Sequence, residues 1–577
     1  MAIDLTVGID VGMSGTAVAY RQHKIDKATC DVQCLKWGGD DSWKVPTRLA
    51  YARTGSAQSP LYWGDKIPEN TENLSIKEWF KTDFGNDDSD HAAAEKLYAD
   101  YLKCLHDELS ERFVLDGILD KPWNHSNISF AFSVPACWDP YLVSRFKTLI
   151  SRAGFEKAQS QLLGRGAHSI AVTMTEPQAT AAFELYTPNP VASLQRGQNV
   201  MIVDVGAGTG DFSVLQVATN AQHTQHWREH QPVIGRKIGS SRIDQGFELR
   251  MTDILKPHQH LLGRRAALVA WEMRCSPGFL KAKHKFGDPT MNPPAIPISH
   301  LADPQSIEDE SIQNGELINP GRELAPLFDQ QIEEMTDCIC ERIRELNEPL
   351  ERLGSSPYVK RKLKERCDGH PSLKSASLVV SRKPRLAVCM GLVYNISEKV
   401  VAFPRIACRA SFGVVGRIPS AAPAKPKKWR SILKRGEGVE GRYDDCVEWI
   451  IRKGEEIDNE GEIEIDRTVF FKQGERKVCN IEIVTSVSDN PSSAKDRHVT
   501  HQLMRANLEG AEVKKKRKVF WSKDYFLQVN FKIRATIGMA EASFLCVDAR
   551  GVKVSEPVTV RVPRDPPIMA LDEVEGE

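Results

Sequence analysis

The sequence predicts an α/β protein built from two similar lobes and a small β-rich domain that follows them. Three observations lead to this prediction: a strand–turn–strand motif occurs twice, helical patterns follow both copies, and short β-type runs occur after the composition changes near residue 416. A supersecondary motif that recurs a domain's length later indicates a duplicated fold.

Composition limits the class of protein. The 577 residues are too many for a single core, and 41% hydrophobic with 27% charged residues is typical of a globular chain. The 77 basic side chains balance the 77 acidic ones, so we expect neither nucleic acid nor a membrane as a partner. The 13 cysteines have no disulfide or zinc-site spacing, and the N-terminus lacks a signal-peptide pattern. We therefore expect a cytoplasmic protein with free thiols.

The first copy of the motif, "VGIDVGMSGTAVAY", occupies residues 7–20. An apolar strand ends in Asp10, and Gly12, Ser14, Gly15 and Thr16 form a turn of small residues. Small residues let backbone N–H groups approach phosphate oxygens, and hydroxyls add further donors. A plain glycine-containing hairpin would have the same letters, so this copy alone leaves both readings open.

The second copy, "NVMIVDVGAGTGDFSVLQV", occupies residues 199–217 and favours the phosphate reading. Its strand ends in Asp204, and a returning strand follows the turn formed by Gly206, Ala207, Gly208 and Thr209. Two aspartates would repel phosphates unless a hydrated Mg²⁺ lay between them. The pair predicts two facing hairpins that hold a magnesium-bound triphosphate from both sides.

These hairpins resemble the phosphate hairpins of the actin-like ATPase superfamily, and other segments narrow the resemblance to the Hsp70 chaperones. The segments similar to Hsp70 are "ISFAFSVPACWDPYLVSRFKTLISRAGF" (Ile128–Phe155), "TEPQATAAFEL" (Thr175–Leu185) and "IGSSRIDQGF" (Ile238–Phe247). Segments similar to the divergent, lid-less Hsp70-like proteins of filamentous fungi are "WFKTDF" (Trp79–Phe84), "LGSSPYVKRKL" (Leu353–Leu363) and "RASFGVV" (Arg409–Val415). The resemblance covers about residues 4 to 415.

The resemblance implies an actin-like ATPase fold, a duplicated two-lobe arrangement of ribonuclease H-like design. We expect lobe I at residues 1–195, lobe II at 196–415, a linker at 416–440, a β-rich domain at 441–565 and an acidic tail at 566–577. The implied cofactors are ATP and Mg²⁺.

Residue roles follow from the same resemblance. Asp10 and Asp204 would hold Mg²⁺ through water, and the small residues of the two turns would line the phosphates. The remaining matched positions are Lys81 against the γ-phosphate, Glu176 between the phosphate site and the interdomain hinge, Asp211 orienting the attacking water, Lys283 at the purine, and Gly239 and Gly354 in turns around the nucleotide. Alternatives remain: the two lysines suit solvated helix faces, and the glutamate suits a helix N-terminus.

The sequence departs from the family at four places, one of which is Arg385, where the family often has an acidic residue near the base. Met13 stands where Hsp70s usually carry threonine, and Ala207 replaces a glycine, which is tolerable only with a negative φ. Between the helix predicted from Phe328, Ile332, Met335, Ile339 and Ile343 and the "GSSPYV" segment, one central strand on the adenosine side seems to be missing near residues 348–354.

The C-terminal third contains β-type runs without the long helical tail of a lid. The runs are Val447–Ile451, Arg467–Phe471, Val478–Val484, Phe526–Ile533 and Ala542–Val547. "KKKRKV" (Lys514–Val519) matches a nuclear-import signal, while a basic loop between two strands is the plainer interpretation. We therefore expect a cytoplasmic location, with nuclear import as an alternative.

Three functions are compatible with these patterns. The first is an Hsp70-like protein that binds ATP, hydrolyses it weakly, and transmits lobe closure to the β-rich domain, where client polypeptides or co-chaperones would bind. The second is an inactive scaffold of the same shape that has lost adenosine binding. The third, a small-molecule kinase, lacks any sign of its own catalytic base and is disfavoured by the Val-Pro-Ala and Glu-Pro segments.

Overall fold

The computed structural model describes residues 3–23, 31–38, 42–53, 59–68, 73–84, 91–156, 168–188, 194–221, 224–288, 294–301, 307, 311–344, 350–353, 357–368, 377–397, 401–419, 432–433, 443–488, 499–517, 525–538 and 541–561. The fold is mixed α/β, with 34% helix and 36% strand distributed over several sheets. This confirms the predicted α/β class.

The N-terminal part, residues 3–188, forms the first lobe. Its strands are β1 (Leu5–Val11), β2 (Gly15–Gln22), β3 (Gln33–Cys34), β4 (Val45–Pro46), β5 (Arg48–Ala52), β6 (Tyr62–Trp63), β7 (Leu74–Glu78), β8 (Ile128–Val134) and β9 (His168–Thr175). Its helices are α1 (Phe80–Phe84), α2 (His91–Leu115), α3 (Pro140–Ala153) and α4 (Glu176–Tyr186), with short 3-10 helices at Gly64–Lys66 and Trp123–His125.

The second lobe follows at residues 194–407. Its elements are β10 (Asn199–Val205), β11 (Gly210–Thr219), β12 (Gln225–Glu229), β13 (Ile234–Arg236), α5 (Ser240–Leu255), a 3-10 helix at Lys256–Leu261, α6 (Ala266–Cys275), α7 (Pro277–His284), β14 (Ile296–Pro297), β15 (Ile312–Gln313), β16 (Glu316–Leu317), α8 (Pro320–Arg344), β17 (Leu350–Leu353), α9 (Pro357–Asp368), β18 (Ser377–Val379), α10 (Ala387–Ser397) and β19 (Arg405–Ala407). The predicted helix is α8, and its five periodic residues are all buried.

The C-terminal part is a ten-stranded sheet. Its strands, together with the short β23 that joins the second lobe's sheet, are β20 (Ser411–Pro419), β21 (Ile432–Leu433), β22 (Tyr443–Ile451), β23 (Glu456–Asp458), β24 (Gly461–Lys472), β25 (Val478–Ser486), β26 (Val499–Asn507), β27 (Val513–Arg517), β28 (Tyr525–Ile537), β29 (Ala542–Asp548) and β30 (Val558–Thr559). Each of the five predicted β-type runs lies within one of these strands.

Both lobes use the same strand order. In the first, β1 and β2 form an antiparallel hairpin, and β8 and then β9 add in parallel on the free side of β1. In the second, β10 and β11 form the hairpin, and β17 and then β18 add in parallel beside β10. All seven residues of β1 are buried, as expected for a strand covered on both faces. The repeated motif therefore reflects a repeated sheet.

Two helices pack together between the lobes. Helices α4 and α10 contact each other, α4 also packs on β10 and β11, and α10 packs on β1 and β2. The contact is very close, because a Cβ on Gly391 would lie 1.8 Å from the carbonyl oxygen of Ala179. The range predicted for lobe II, residues 196–415, includes α10. This helix nevertheless packs on strands of the first lobe.

The strand expected to be missing near residues 348–354 is present, so that expectation is wrong. Residues Leu350–Leu353 form β17, which pairs in parallel with β10 on one side and with β18 on the other. The strand is short, and its letters, "LERL", do not form an apolar run. Its partners on both sides supply the hydrogen bonds that fix it in the sheet.

The predicted linker at 416–440 is also wrong in part. Strand β20 begins at Ser411 and continues to Pro419, where it pairs with β22, and β21 (Ile432–Leu433) pairs with β20 and β24. The C-terminal sheet thus begins about 30 residues before the predicted boundary at 441. The basic run lies in β27 up to Arg517 rather than in a loop, whereas its last two residues and the acidic tail at 566–577 lie outside the described residues.

The C-terminal sheet contacts both lobes. Strand β19 pairs with β12 of the second lobe and with β23, which connects the two sheets. Glu456 in β23 forms ion pairs with Arg228 and Arg405. On the first lobe, Arg561 lies 4.1 Å from the ring centroid of Tyr141 in α3. Among the described helices, none has the length and apolar character needed to cross a membrane.

Candidate functional site

The first turn carries an aspartate that the chain itself neutralises. Asp10 lies near the end of β1, opposite Ala17, and is only 5% exposed. Strand β4 pairs with the beginning of β2 and so brings Lys44 to this turn. Its Nζ lies 3.1 Å from Asp10 Oδ2. Burial lowers the pKa of Lys44, but the Asp10 carboxylate outweighs this effect and the pKa is raised.

Lys44 is a residue that the sequence analysis missed. It lies 34 positions after Asp10, belongs to neither copy of the motif, and follows a stretch without a recognisable pattern. Only the pairing of β4 with β2 reveals its position.

The second turn brings two aspartates together. Asp204 lies opposite Asp211 in the register of β10 and β11, and the turn closes with a 2.9 Å bond from the Gly206 N–H to the Thr209 carbonyl. Burial raises the pKa of Asp204 to about 7, and the Glu176 and Asp10 carboxylates contribute. Ala207 is not among the described non-glycine residues with positive φ, which meets the condition set for replacing glycine.

The predicted Lys81 and Glu176 form a buried ion pair beside the first turn. Lys81 Nζ donates to Glu176 Oε1 at 2.5 Å and to the carbonyl oxygen of Val11 at 2.7 Å. Burial lowers the pKa of Lys81, but Glu176 more than compensates and the pKa is raised. Glu176 is the first residue of α4, whose N-cap is Thr175 in a capping box with Gln178.

Asp211 is the most isolated acid of the site. It is 1% exposed, and its Oδ1 has no hydrogen-bond partner within the described ranges. Burial, together with Glu176 and Asp204, raises its pKa well above the usual range. Gly235 leaves room for this carboxylate, since a Cβ there would lie 2.7 Å from Oδ1. The Ala136 backbone bonds to this carboxyl group, but a buried oxygen such as Oδ1 without a partner is costly unless a cation or water satisfies it.

Thr16, expected at a phosphate, and Lys283, expected at the purine, have their polar groups engaged within the protein. The Thr16 hydroxyl is used inside the core, where it accepts from Tyr101 at 2.7 Å and lies 3.0 Å from Thr47 Oγ1. Lys283 lies on α7 with its ammonium 2.5 Å from Asp244 Oδ1, and burial lowers its pKa. Gly239 supports the second turn from outside, as described next, and Gly354 lies outside the described residues.

Helix α5 begins directly against the second turn. The N–H groups of Ser240 and Ser241 donate to the carbonyl oxygens of Gly206 and Ala207 at 3.1 and 2.9 Å. A Cβ on Gly239 would lie 2.2 Å from the Ala207 oxygen, so only glycine allows this approach. The first amides of α5 are therefore occupied by the turn and hold it in place.

The other predicted turn residues lie at the surface or at the junction of the turns. Ser14 is exposed, and Gly15 pairs with Pro46 of β4. Gly12 is confined, because a Cβ there would lie 2.5 Å from the Gly15 carbonyl oxygen. Met13 contacts Gly208 of the second turn.

Among the described residues, no group of three or more His, Cys, Asp or Glu side chains is arranged to coordinate a metal. One Asp211 oxygen has no hydrogen-bond partner among the described residues, and burial together with nearby carboxylates raises the pKa of Asp204. Magnesium held through water, as the sequence analysis expects for Asp10 and Asp204, is compatible with this arrangement.

The site is connected to the C-terminal sheet through buried polar groups. Gln178 of α4 donates to Glu229 Oε1 at 2.5 Å, and Glu229 Oε2 accepts from the backbone N–H of Ala407 at 3.1 Å. Two residues further on, Arg409 Nη1 donates to the Ala136 carbonyl oxygen at 3.3 Å. Residues just before β20 thus contact both lobes next to Glu176 and Asp211.

Comparison with known proteins gives a family only for the C-terminal part. A family model described as "Domain of unknown function (DUF8568)" matches residues 405–560. This range runs from β19 to β30 and includes Ala407 and Arg409, but neither of the two turns. No curated protein matches the chain.

Proposed function

We propose that this chain is an Hsp70-like ATP-binding protein with weak ATP hydrolysis coupled to closure of its two lobes. One observation carries the proposal: the turns of two equivalent hairpins, far apart in sequence, contribute Asp10 and Asp204 to one cluster with Glu176 and Lys81. Unrelated turns have no reason to bring three carboxylates and a lysine to a common place.

The repeated strand order supports the finer fold assignment. A hairpin with two parallel strands beside its first strand, used twice, is what a duplicated actin-like ATPase fold requires. Helices α4 and α10 between the sheets are compatible with lobes that move about a shared axis. This repeat supports the proposal that the first two parts of the chain adopt the actin-like ATPase fold.

The proposed roles follow from charge and position. A bound Mg²⁺ would offset the negative charge of the phosphates. Asp10 and Asp204 would hold its water shell, and Lys44 would orient the Asp10 carboxylate. Lys81, fixed by Glu176, would face the terminal phosphate, and Asp211 would accept a hydrogen bond from the attacking water. Hydrolysis of this kind depends on positioning and charge compensation.

Closure of the lobes has a contact that suits it. Arg274 of α6 forms ion pairs with Glu78 of β7 at 2.5 Å and with Glu248 of α5 at 2.9 Å. Its guanidinium carbon also lies 4.6 Å from the ring centroid of Trp79, whose φ of 64° is unusual for a bulky residue. Arg274 of the second lobe thus contacts the segment that leads into α1 and Lys81.

The C-terminal sheet would receive the signal of closure. Glu229, Ala407 and Arg409 connect α4 and the second hairpin to the start of β20. Client polypeptides or co-chaperones remain the proposed partners of this sheet, in the cytoplasm or, through the exposed lysines of β27, in the nucleus.

The test is titration calorimetry of the full chain with MgATP. Asp10→Asn and Asp204→Asn should each weaken binding at least tenfold, because each removes a charge that faces the cation. Asp253→Asn, on the exposed side of α5, is the matched control and should bind as the wild type does. Equal affinity in the wild type and both site variants would contradict the proposal.

A second function, a scaffold that keeps the shape without binding nucleotide, is favoured by the contact of Met13 with Gly208. A thioether between the turns occupies space that a phosphate would need. The discriminating measurement is the melting temperature with millimolar MgATP: a micromolar binder gains a few kcal/mol through ligand linkage, whereas a scaffold gains nothing.

A further inference from the structure

Met13 lies where the two turns meet. Its side chain is 8% exposed although it belongs to a turn. A Cβ built on Gly208 would lie 2.4 Å from Met13 Sδ and 3.7 Å from Met13 Cβ. The side chain of the first turn therefore packs directly on the backbone of the second.

The sulfur is also held from a third direction. Thr82, the residue after Lys81 in α1, donates its hydroxyl to Met13 Sδ at 3.1 Å. The same hydroxyl lies 3.3 Å from the position of a Cβ on Gly208. Helix α1 and both turns thus meet at one thioether, next to the Lys81–Glu176 ion pair.

We propose that Met13 is a wedge: it fills the gap between the two turns and holds them in contact, and a phosphate group enters this gap only by displacing it. The packing half of this proposal, that Met13 holds the two turns in contact, does not depend on any ligand. The displacement half, that phosphate enters only by displacing Met13, rests on the proposed function. The competing group is the terminal phosphates of a magnesium-bound nucleotide.

The chemistry of the side chain explains why it would oppose phosphate. A thioether is apolar and at most a weak acceptor, so it offers no hydrogen to a phosphate oxygen. It does suit a closed gap, because a flexible unbranched chain fills irregular space well. Alanine would clear the gap without adding a donor, and threonine would clear it and add one.

The packing half is tested by amide hydrogen exchange of the full chain without nucleotide. In Met13→Ala, peptides covering residues 205–210 should exchange at least tenfold faster, whereas Met13→Leu, which keeps the bulk, should exchange nearly as the wild type does. Thr82→Val should give an intermediate rate. Met251→Ala, a fully buried methionine of α5 far along the chain from both turns, controls for general loss of stability. Equal rates in Met13→Ala and in the wild type would overturn the proposal.

The displacement half is tested by calorimetric titration of the same variants with MgATP. Met13→Ala should bind at least tenfold more tightly than the wild type, and Met13→Thr more tightly still. If the wild type binds and Met13→Ala is equal or weaker, displacement is wrong while the proposed function stands. If neither variant nor wild type binds, both the proposed function and the displacement step fall, and the exchange rates alone decide the packing step.

Discussion

The two turns share a sequence pattern but differ in how their charge is balanced. In the first, Asp10 is paired with Lys44, and the neighbouring Glu176 is paired with Lys81. In the second, Asp204 and Asp211 face each other, and neither takes part in an ion pair within the described part of the chain. The pKa of both second-turn acids is raised by burial and by nearby carboxylates.

This difference shows that a duplicated motif need not give two equivalent half-sites. Lysines reach the first turn from the residue before β4 and from α1, whereas within the described ranges no lysine or arginine forms an ion pair with Asp204 or Asp211. Two buried acids without an ion-pair partner among the described residues therefore lie together at the second turn. Under the proposed function, a cation is stabilised mainly from this side, while the first turn is charge-compensated beforehand.

The turns also differ in how tightly they pack. Gly12 and Gly206 occupy matching positions, yet a Cβ on Gly12 would lie 2.5 Å from the Gly15 oxygen, whereas one on Gly206 would lie 3.6 Å from the Thr209 oxygen. The first distance is a clash and the second an ordinary contact. Glycine is thus sterically required in one copy and is free of this constraint in the other.

The largest effect is expected from breaking the charge balance of the first turn. Lys81→Met leaves Glu176 buried without its partner and should lower the free energy of unfolding by about 3 kcal/mol. Asp211→Asn should instead be neutral or stabilising, because it removes a buried acid that has no ion-pair partner among the described residues. Urea denaturation at neutral pH measures both.

The double variant Lys81→Met/Glu176→Gln supplies the control for that experiment. Removing both charges should recover most of the lost stability, since the cost arises from the unpaired charge rather than from packing. A double variant as unstable as Lys81→Met alone would show that the ion pair does not explain the effect.

A smaller effect is expected from the matched glycines. Gly12→Ala should destabilise the chain by about 2 kcal/mol, because the clash with the Gly15 carbonyl forces the first turn to shift. Gly206→Ala should cost less than about 0.5 kcal/mol. Urea midpoints for the two variants make the comparison, and similar losses would mean that the turns are equally tight.

The smallest effect concerns pH and Asp204. Its folded-state pKa of about 7 lies above the ordinary value of 3.8, so the folded state retains a proton that the unfolded state has lost. This carboxyl therefore makes stability fall as pH rises from about 4 to about 7. Asn does not titrate, so Asp204→Asn should gain about 1 kcal/mol relative to the wild type across this window, allowing for solvent screening.

Only the difference in unfolding free energy between the wild type and Asp204→Asn is informative in this experiment, because other groups also titrate. Unfolding free energies from urea at about pH 4 and about pH 7 give this difference. A difference that stays constant with pH would show that Asp204 titrates normally.

The sequence determined the features that depend on local patterns. The periodic apolar residues of α8 predicted a helix because one face of a helix repeats every 3.6 residues. The two apolar runs ending in aspartate predicted strand–turn–strand units because a turn of small residues has few alternatives. The family resemblance implied separate roles for Lys81 and Glu176 near the phosphate, whereas no pattern predicted the ion pair between them.

Tertiary structure alone decided the features that depend on distant partners. Strand β17 exists because β10 and β18 offer it hydrogen bonds on both sides, which "LERL" by itself does not indicate. Lys44 reaches Asp10 only through the pairing of β4, and the Thr16 hydroxyl is turned into the core by Tyr101 and Thr47. Met13 meets Gly208 because two hairpins separated by a whole lobe converge. Local preferences are encoded within a few residues, whereas charge balance and packing depend on which surfaces the folded chain brings together.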